Sequence, residues 1–311
     1  MPSPEVDALS PPEDALFRCP ESGAPLTRDG DAFVAPDGKR WPVVRGIPRF
    51  VEDDQYVDSF SFEWNVHTST QLDSSNAKQA RSEDTLREKT GLRPEDVRGK
   101  LVLDAGVGAG RFSEVLAQWG ARVVGVDLSY AVEASHRNLA RFPHARVAQA
   151  DIFKLPFAPE TFDLIVSIGV LHHTPSTEGA FRALVPLLKP GGTIAIWVYP
   201  NHDDYVKRDA WIPHTRRIPK TLFYRFCRRF VTLSHRLQRG PFFRYVNSVF
   251  PYSDQGMGLE NDILDTFDGY SPTFHGIHSV EEVRGWFASE GLVDLVDYPQ
   301  WPTAVRGRKP E

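Results

Sequence analysis

Cysteine is almost missing from this chain, whose 311 residues hold only Cys19 and Cys227. Two thiols cannot build a disulfide framework or supply a four-cysteine zinc site, so a reducing compartment is expected, with cytoplasm the default. An uninterrupted apolar run of about 18 residues is missing too, which leaves no candidate for a membrane-spanning helix. Residues 1–15 hold prolines and acids without a basic n-region or an apolar h-region, so they read as a loose tail rather than a signal peptide. Positive charge is not in excess: 36 Lys and Arg stand against 41 Asp and Glu, a formal net charge of −5. That balance argues against a surface built wholly for nucleic acid. Internal repeats and sustained heptads are absent. What is present, 41% hydrophobic and 25% charged residues, is the composition of a folded chain.

Residues 16–52 are short and turn-rich, with Gly23, Gly30, Pro36-Asp37-Gly38 and Gly46 between apolar pieces such as Ala32-Phe33-Val34 and Trp41-Pro42-Val43-Val44. They read as a small β module. Residues 53–99 are polar, open with Tyr56, Phe60, Phe62 and Trp64, and continue into a helical stretch from about Asn76 to Lys89, so they read as a helical arm. From Lys100 onward strands alternate with amphipathic helices. The strand candidates are Leu101 to Asp104, Arg122 to Asp127, Ala145 to Ala148, Phe162 to Ser167 and Gly192 to Tyr199. The expected fold class is α/β: a Rossmann-like, doubly wound, mostly parallel sheet of seven strands. Ser279-Val280-Glu281-Glu282 reads as a capping box for a further helix. Leu292 to Tyr298 and Trp301 to Gly307 then read as a terminal antiparallel pair, because only a short turn separates them. The main domain is thus residues 100–200 and 279–311. Residues 201–278 are an insertion after the fifth strand, at the strand ends where open α/β sheets bind ligands.

The chemistry-bearing run is Val102-Leu103-Asp104-Ala105-Gly106-Val107-Gly108-Ala109-Gly110-Arg111, a strand entering a glycine-rich turn that opens a helix. Such glycines let backbone approach a ligand without Cβ obstruction. Asp127 closes the second strand, where a carboxylate can accept from both ribose hydroxyls. Asp151, after the third strand, can accept from an exocyclic amine while Ile152 packs on a purine. A nicotinamide dinucleotide would want G-x-G-x-x-G, whereas this loop is G-x-G-x-G followed by Arg111. Asp104 before the loop would repel a pyrophosphate and suit an ammonium group. An adenosine with a cationic amino-acid tail meets these demands, and S-adenosylmethionine is such a molecule.

The chain here resembles the class I S-adenosylmethionine-dependent methyltransferases, especially the ubiquinone and menaquinone methyltransferase branch. The resemblance rests on Val102 to Arg111, Val124 to Ser129, Ala150-Asp151-Ile152, Phe162 to Ser167, Val170-Leu171-His172-His173 and Leu188-Lys189-Pro190-Gly191-Gly192. It covers roughly residues 98–200. Val107 stands where many members have cysteine. The resemblance implies S-adenosylmethionine as cofactor, held by Asp104, Ala105, Gly106, Gly108, Gly110, Asp127, Leu128, Asp151, Ile152, Ser167 and Ile168. Cys19-Pro20-Glu21-Ser22-Gly23 and Trp41 to Pro48 resemble a zinc-ribbon-like module found with methyltransferases. Ser22 stands where metal-binding versions carry a second cysteine, so a metal-free scaffold is expected.

His172 and His173 follow the fourth strand at the rim where a transferred methyl would emerge, and either would serve as a general base or as a wall of the pocket. Residues 205–246 carry eleven Lys or Arg against the single acid Asp209. Leu222, Phe223, Phe226, Phe230, Leu233 and Leu237 interleave at helical spacing. Two readings stand: an amphipathic cap with its apolar face over the active site, or a cap that attracts an anionic substrate or lipid headgroups, giving membrane-surface contact. No base-reading motif supports nucleic acid. Asp268, Tyr270 and His275 are expected to face the methyl acceptor, with turn chemistry around Gly269 and Pro272 as the alternative. No histidine pair has metal-ligand spacing with a third partner, so no metal is expected. The function these residues point to is methyl transfer to oxygen, nitrogen or carbon of a small metabolite, anionic or lipid-like. A non-catalytic S-adenosylmethionine-binding regulatory or assembly protein is the alternative.

Overall fold

The computed structural model describes residues 13–51, 81–237, 241–253 and 258–311. The tail up to residue 12, the aromatics Tyr56, Phe60, Phe62 and Trp64, the helical stretch before residue 81, and Arg239 lie outside the described residues.

Four short antiparallel strands form the amino-terminal module: β1 (Thr27–Asp29), β2 (Ala32–Val34), β3 (Arg40–Val44) and β4 (Ile47–Pro48). Their cores are aromatic. Phe17 lies 5.2 Å from Phe33, 5.1 Å from Phe50 and 5.8 Å from Phe157 of the main domain, ring centre to ring centre. Contacts of this kind contribute about 0.5–1.5 kcal/mol each beyond the area they bury. The helical arm contributes α1 (Arg81–Thr90), followed by the single turn α2 (Pro94–Val97).

A seven-stranded sheet organises the rest. Its strands in chain order are β5 (Leu101–Ala105), β6 (Arg122–Asp127), β7 (Ala145–Gln149), β8 (Phe162–Ile168), β9 (Leu188–Trp197), β10 (Val293–Asp297) and β11 (Ala304–Arg308). In space the order is β10-β11-β9-β8-β5-β6-β7. All pairings from β9 to β7 are parallel, and β11 is antiparallel to both neighbours. The α/β class and seven-stranded, mostly parallel sheet expected from the sequence are therefore present. β5 is fully buried, because helices cover both of its faces. On one face lie α3 (Arg111–Gln118) and α4 (Val132–Leu139); the other is packed by α5 (Thr177–Leu184) and α10 (Val280–Ser289), with Phe162, Phe181 and Phe287 wholly enclosed. Burying each such side chain stabilises the fold by about 1.5–3 kcal/mol.

β9 begins at Leu188, four positions before the expected Gly192. The cause is pairing that the local sequence does not reveal: Leu188 is opposite Phe162, and the Gly191 amide donates to the Lys309 carbonyl. The amino-terminal module also joins the sheet. The Phe50 amide donates to the Gln149 carbonyl at 2.7 Å, and the Arg49 guanidinium donates to the Gln149 side chain at 3.1 Å and to Glu133. The module thereby covers the edge of β7, which would otherwise present unpaired backbone groups.

Four helices make the insertion a cap: α6 (Asp203–Thr215), α7 (Lys220–Leu237), α8 (Pro241–Val249) and α9 (Leu259–Tyr270). It has a small core of its own, Phe223, Cys227, Phe267 and Tyr270, with Tyr224 and Phe250 packed against it. A bridge between Pro200 and His278 returns the chain to the sheet. Among the described residues, no helix is long and apolar enough to cross a membrane.

Candidate functional site

Strand order reverses at β5, where β6 and β7 extend one way and β8 and β9 the other. A crevice opens at such a switch point, beyond the carboxyl ends of the strands. The glycine loop fills its floor. The Gly106 and Val107 amides both donate to the Val126 carbonyl, which curls the chain back over β6. Gly106 has φ +91, and a Cβ there would lie 2.3 Å from the Val170 methyls, so only glycine fits. Gly110, also left-handed, starts α3.

The resulting cavity, about 220 Å³, is lined on one side by Gly106, Val107, Gly108, Asp127, Leu128, Ile152, Ile168 and Val170. Asp127 accepts from the Gly108 amide at 2.9 Å through Oδ2, and from the Ser129 amide and hydroxyl at 2.9 and 2.7 Å through Oδ1. Three of roughly four lone-pair positions are thus taken, which fixes the carboxylate and leaves capacity toward the cavity. Burial raises its pKa, opposed by the Ser129 and Gly108 donors. Leu128 and Ile152 supply apolar walls suited to a flat base. This end fits an adenosine.

Other residues expected at the cofactor lie outside the cavity wall. Asp104 is turned from the loop to α3, where it accepts from Ser113 Oγ at 2.7 Å, and burial pushes it up to about 6. Asp151 accepts from the Phe153 amide at 3.0 Å and caps a short helical turn. The Ser167 hydroxyl is spent on the Ala105 carbonyl at 2.8 Å, tying β8 to β5. Gly110 precedes the first turn of α3 and Ala105 ends β5, neither on the cavity wall.

The opposite side of the cavity is made by residues from distant segments. Lys89 of α1 lies over the Trp197 ring at 3.3 Å and the Trp301 ring at 4.2 Å, and burial and then Arg111 depress its pKa far below the usual lysine range. Arg111 reaches back to α1, donating to Ser82 Oγ at 3.1 Å and Thr85 Oγ1 at 3.2 Å. Arg208 is buried and donates to Ser253 Oγ at 3.0 Å. Asp265 and Asp268, one turn apart on α9, both face the cavity with Tyr199 and Tyr205. Burial pushes Asp265 up to about 6, and burial together with Asp265 pushes Asp268 up to about 7. Asp268 Oδ1 is buried without a hydrogen-bond partner among the described residues.

The histidines divide. His173 lines the cavity; its Nδ1 is 3.2 Å from the Phe274 carbonyl, so the proton sits on Nδ1, and burial drives its pKa to about 3. His172 lies behind the wall, stacked on Tyr199 at 3.6 Å and accepting the Tyr199 amide at 3.3 Å. Burial likewise keeps it neutral. Both are weak bases there, because burial disfavours the charged ring.

Of the residues expected at the acceptor, only Asp268 reaches the cavity. Tyr270 belongs to the cap core, stacked on Phe250 at 4.1 Å with its hydroxyl donating to the Pro251 carbonyl. His275 packs behind Tyr199, 5.2 Å away, with Nδ1 3.6 Å from Asp209. Lys89, Tyr199, Tyr205, Arg208 and Asp265 were not singled out from the sequence. A signal existed for one of them: Asp265 and Asp268 are acids at helical spacing among Ile263, Leu264 and Phe267, a pattern that turns charge inward. Among the described residues, no group of three His, Cys, Asp or Glu is placed to hold a metal ion.

Residues 103–196, from β5 to β9, match the family model described as a methyltransferase domain. The chain is 32% identical over 149 residues to the sterol 24-C-methyltransferase of Schizosaccharomyces pombe, covering 45% of this chain and 36% of that protein. It is 33% identical over 135 residues to the human protein named probable tRNA methyltransferase 9B, covering 42% and 28%. Against the ubiquinone biosynthesis O-methyltransferase of Stutzerimonas stutzeri it is 33% identical over 109 residues, covering 31% and 43%. The chain thus spans less than half the length of each of these relatives.

Proposed function

We propose that this protein is an S-adenosylmethionine-dependent methyltransferase acting on a small, proton-bearing acceptor. The observation that carries the reading is Asp127, locked by the Gly108 amide and Ser129 at the mouth of the glycine loop between apolar Leu128 and Ile152. A carboxylate so held accepts ribose hydroxyls, and the family match over residues 103–196 supports the same cofactor. When bound, that cofactor supplies a methyl group on a sulfonium, which needs alignment and an unprotonated nucleophile.

The chain's own residues supply both. Trp197, Tyr199 and Tyr205 give the acceptor end flat apolar surfaces, and Arg208 is fixed by Ser253. Asp268 takes the acceptor's proton in this reading, supported by its position on the cavity wall, its unengaged Oδ1 and a pKa of about 7, which suits a general base at neutral pH. His173 acts as wall rather than base. Hydroxyl and amine acceptors fit this end best; sterol and ubiquinone-precursor chemistry belongs to the relatives named for them.

Calorimetric titration with S-adenosylmethionine tests the assignment. Micromolar binding is expected, weakened tenfold or more in Asp127→Ala through loss of charge-assisted hydrogen bonds worth about 1.5–3 kcal/mol. Absent binding, or an Asp127→Ala affinity equal to wild type, would sink it.

A further inference from the structure

The longest cap helix hides less of its apolar surface than its sequence suggests. Phe223, Cys227, Val231 and Ser234 of α7 face the cap core. Leu222, Phe226, Leu233 and Leu237 face outward, 57%, 48%, 49% and 44% exposed. Steps of four, seven and four residues put these on one arc of the helix, and Arg225, Arg229 and Arg236 run along its border. Arg216, Arg217, Arg225, Arg229 and Arg236 have no carboxylate partner among the described residues. The apolar arc continues past α7. Phe226 and Trp211 both pack edge-on against Phe250, at 5.9 and 5.5 Å, and Trp211 is 37% exposed.

We propose that the outer face of α7 docks the protein on an anionic lipid surface. Leucine and aromatic side chains standing out beside a row of arginines match the boundary between acyl chains and acidic headgroups. Each arginine adds about 1 kcal/mol near such a surface. Nucleic acid matches less well, since exposed leucines gain nothing against phosphates. A second copy matches less well too, because a symmetric contact would set the two arginine rows against each other. The face also leads to the cavity. Phe250, in the patch, stacks on Tyr270, and three residues on, Ser253 lines the cavity and holds Arg208. Docking by α7 therefore brings the acceptor end close to the bilayer, where an amphiphilic acceptor resides. The docking face is separate from the cofactor end, so it stands or falls independently of methyl transfer.

Flotation of the full chain with vesicles tests it: phosphatidylcholine alone against phosphatidylcholine with phosphatidylglycerol. Binding to the anionic vesicles, falling with salt, is expected, with little binding to the neutral ones. Combined Arg225→Gln, Arg229→Gln and Arg236→Gln should lower partitioning by about a hundredfold. Combined Leu222→Ser and Leu233→Ser should lower it to a similar degree, at unchanged S-adenosylmethionine affinity and melting temperature. No vesicle binding, or binding that neither set of substitutions alters, would overturn the proposal. So would displacement of the vesicles by a duplex oligonucleotide, or a dimer dissolved by the leucine substitutions with no vesicle binding.

Discussion

The two ends of the cavity are built in opposite ways. Backbone makes the cofactor end: amides of Gly106, Val107 and Gly108, curled over β6 and locked by Asp127, all within two strands and one turn. Side chains make the end proposed for the acceptor: Lys89, Arg111, Tyr199, Arg208, Asp265 and Asp268 converge from separate elements. A site of the first kind is inherited with the fold, because the loop cannot change without disturbing the strands beneath it. The second kind is free to vary, since each residue sits on a different element. Relatives named for a sterol 24-C- and a ubiquinone O-methyltransferase are each similar to this chain over less than half its length.

The sharpest way to break that division is Asp268→Asn. If the acceptor end acts alone on the proton, turnover should fall about 10²–10⁴-fold while S-adenosylmethionine affinity stays put. Wild-type kcat/KM should rise with pH to a plateau above about 7, the value to which burial and Asp265 push the Asp268 carboxyl. That limb should vanish in the variant. Acid unfolding is a separate event, and the signs keep the two apart. Asp268 is protonated in the folded chain from about pH 4, where an unfolded aspartate ionises, up to about 7. Over that window it binds more protons folded than unfolded, so it favours the fold as pH falls. His173, held neutral down to about 3, behaves oppositely: its contribution is complete above about pH 6.5 and is lost as pH falls below that. An activity loss between pH 8 and pH 6.5 with no loss of structure therefore belongs to Asp268. A flat profile across neutrality would remove it as the base.

A slightly smaller effect separates the cap from the sheet. Phe267 is fully buried in the cap core and Phe162 fully buried under the sheet. Either truncation to alanine costs about 3–5 kcal/mol. Phe162→Ala should lower the global melting temperature and cofactor binding together. Phe267→Ala should loosen α7 against α9, lowering turnover and raising amide exchange in the cap, with cofactor binding near wild type. Equal loss of cofactor binding in both would show that the two ends fold as one unit.

What was legible in the sequence follows the same division. Strands β5 to β8 are apolar runs bounded by turns, and the glycine loop is a contiguous string whose spacing reports on local backbone, so both could be read directly. The start of β9 could not, because its first residues pair with Phe162 and with the chain's last residues. Helix α7 was legible as a helix but not in its orientation, since Phe223 and Phe226 are equally apolar and only α9 decides which is buried. His172 illustrates the limit at the site: its place after β8 is local, but its partner Tyr199 lies 27 residues on and takes the ring out of the cavity. Asp104 likewise had a local rationale toward a ligand and instead meets Ser113 on the helix that follows the loop.

The smallest expected effect concerns the amino-terminal module, a third region built neither way. Cys19 is buried there with Ser22 beside it, so this loop offers one thiol. Its rigidity has another source in the aromatic cluster of Phe17, Phe33, Trp41 and Phe50, pressed on Phe157 and anchored by Arg49 to Glu133 and Gln149. Structural zinc binds with about 10–16 kcal/mol in small domains that depend on it, so its removal is never silent. Treatment with a strong chelator should therefore leave both the melting temperature and S-adenosylmethionine affinity of this protein unchanged, whereas Phe50→Ala should lower the first by several degrees. A fall in melting temperature on chelation would transfer the stability of the module from aromatic packing to a metal, and with it the support of β7 and α4 behind Asp127.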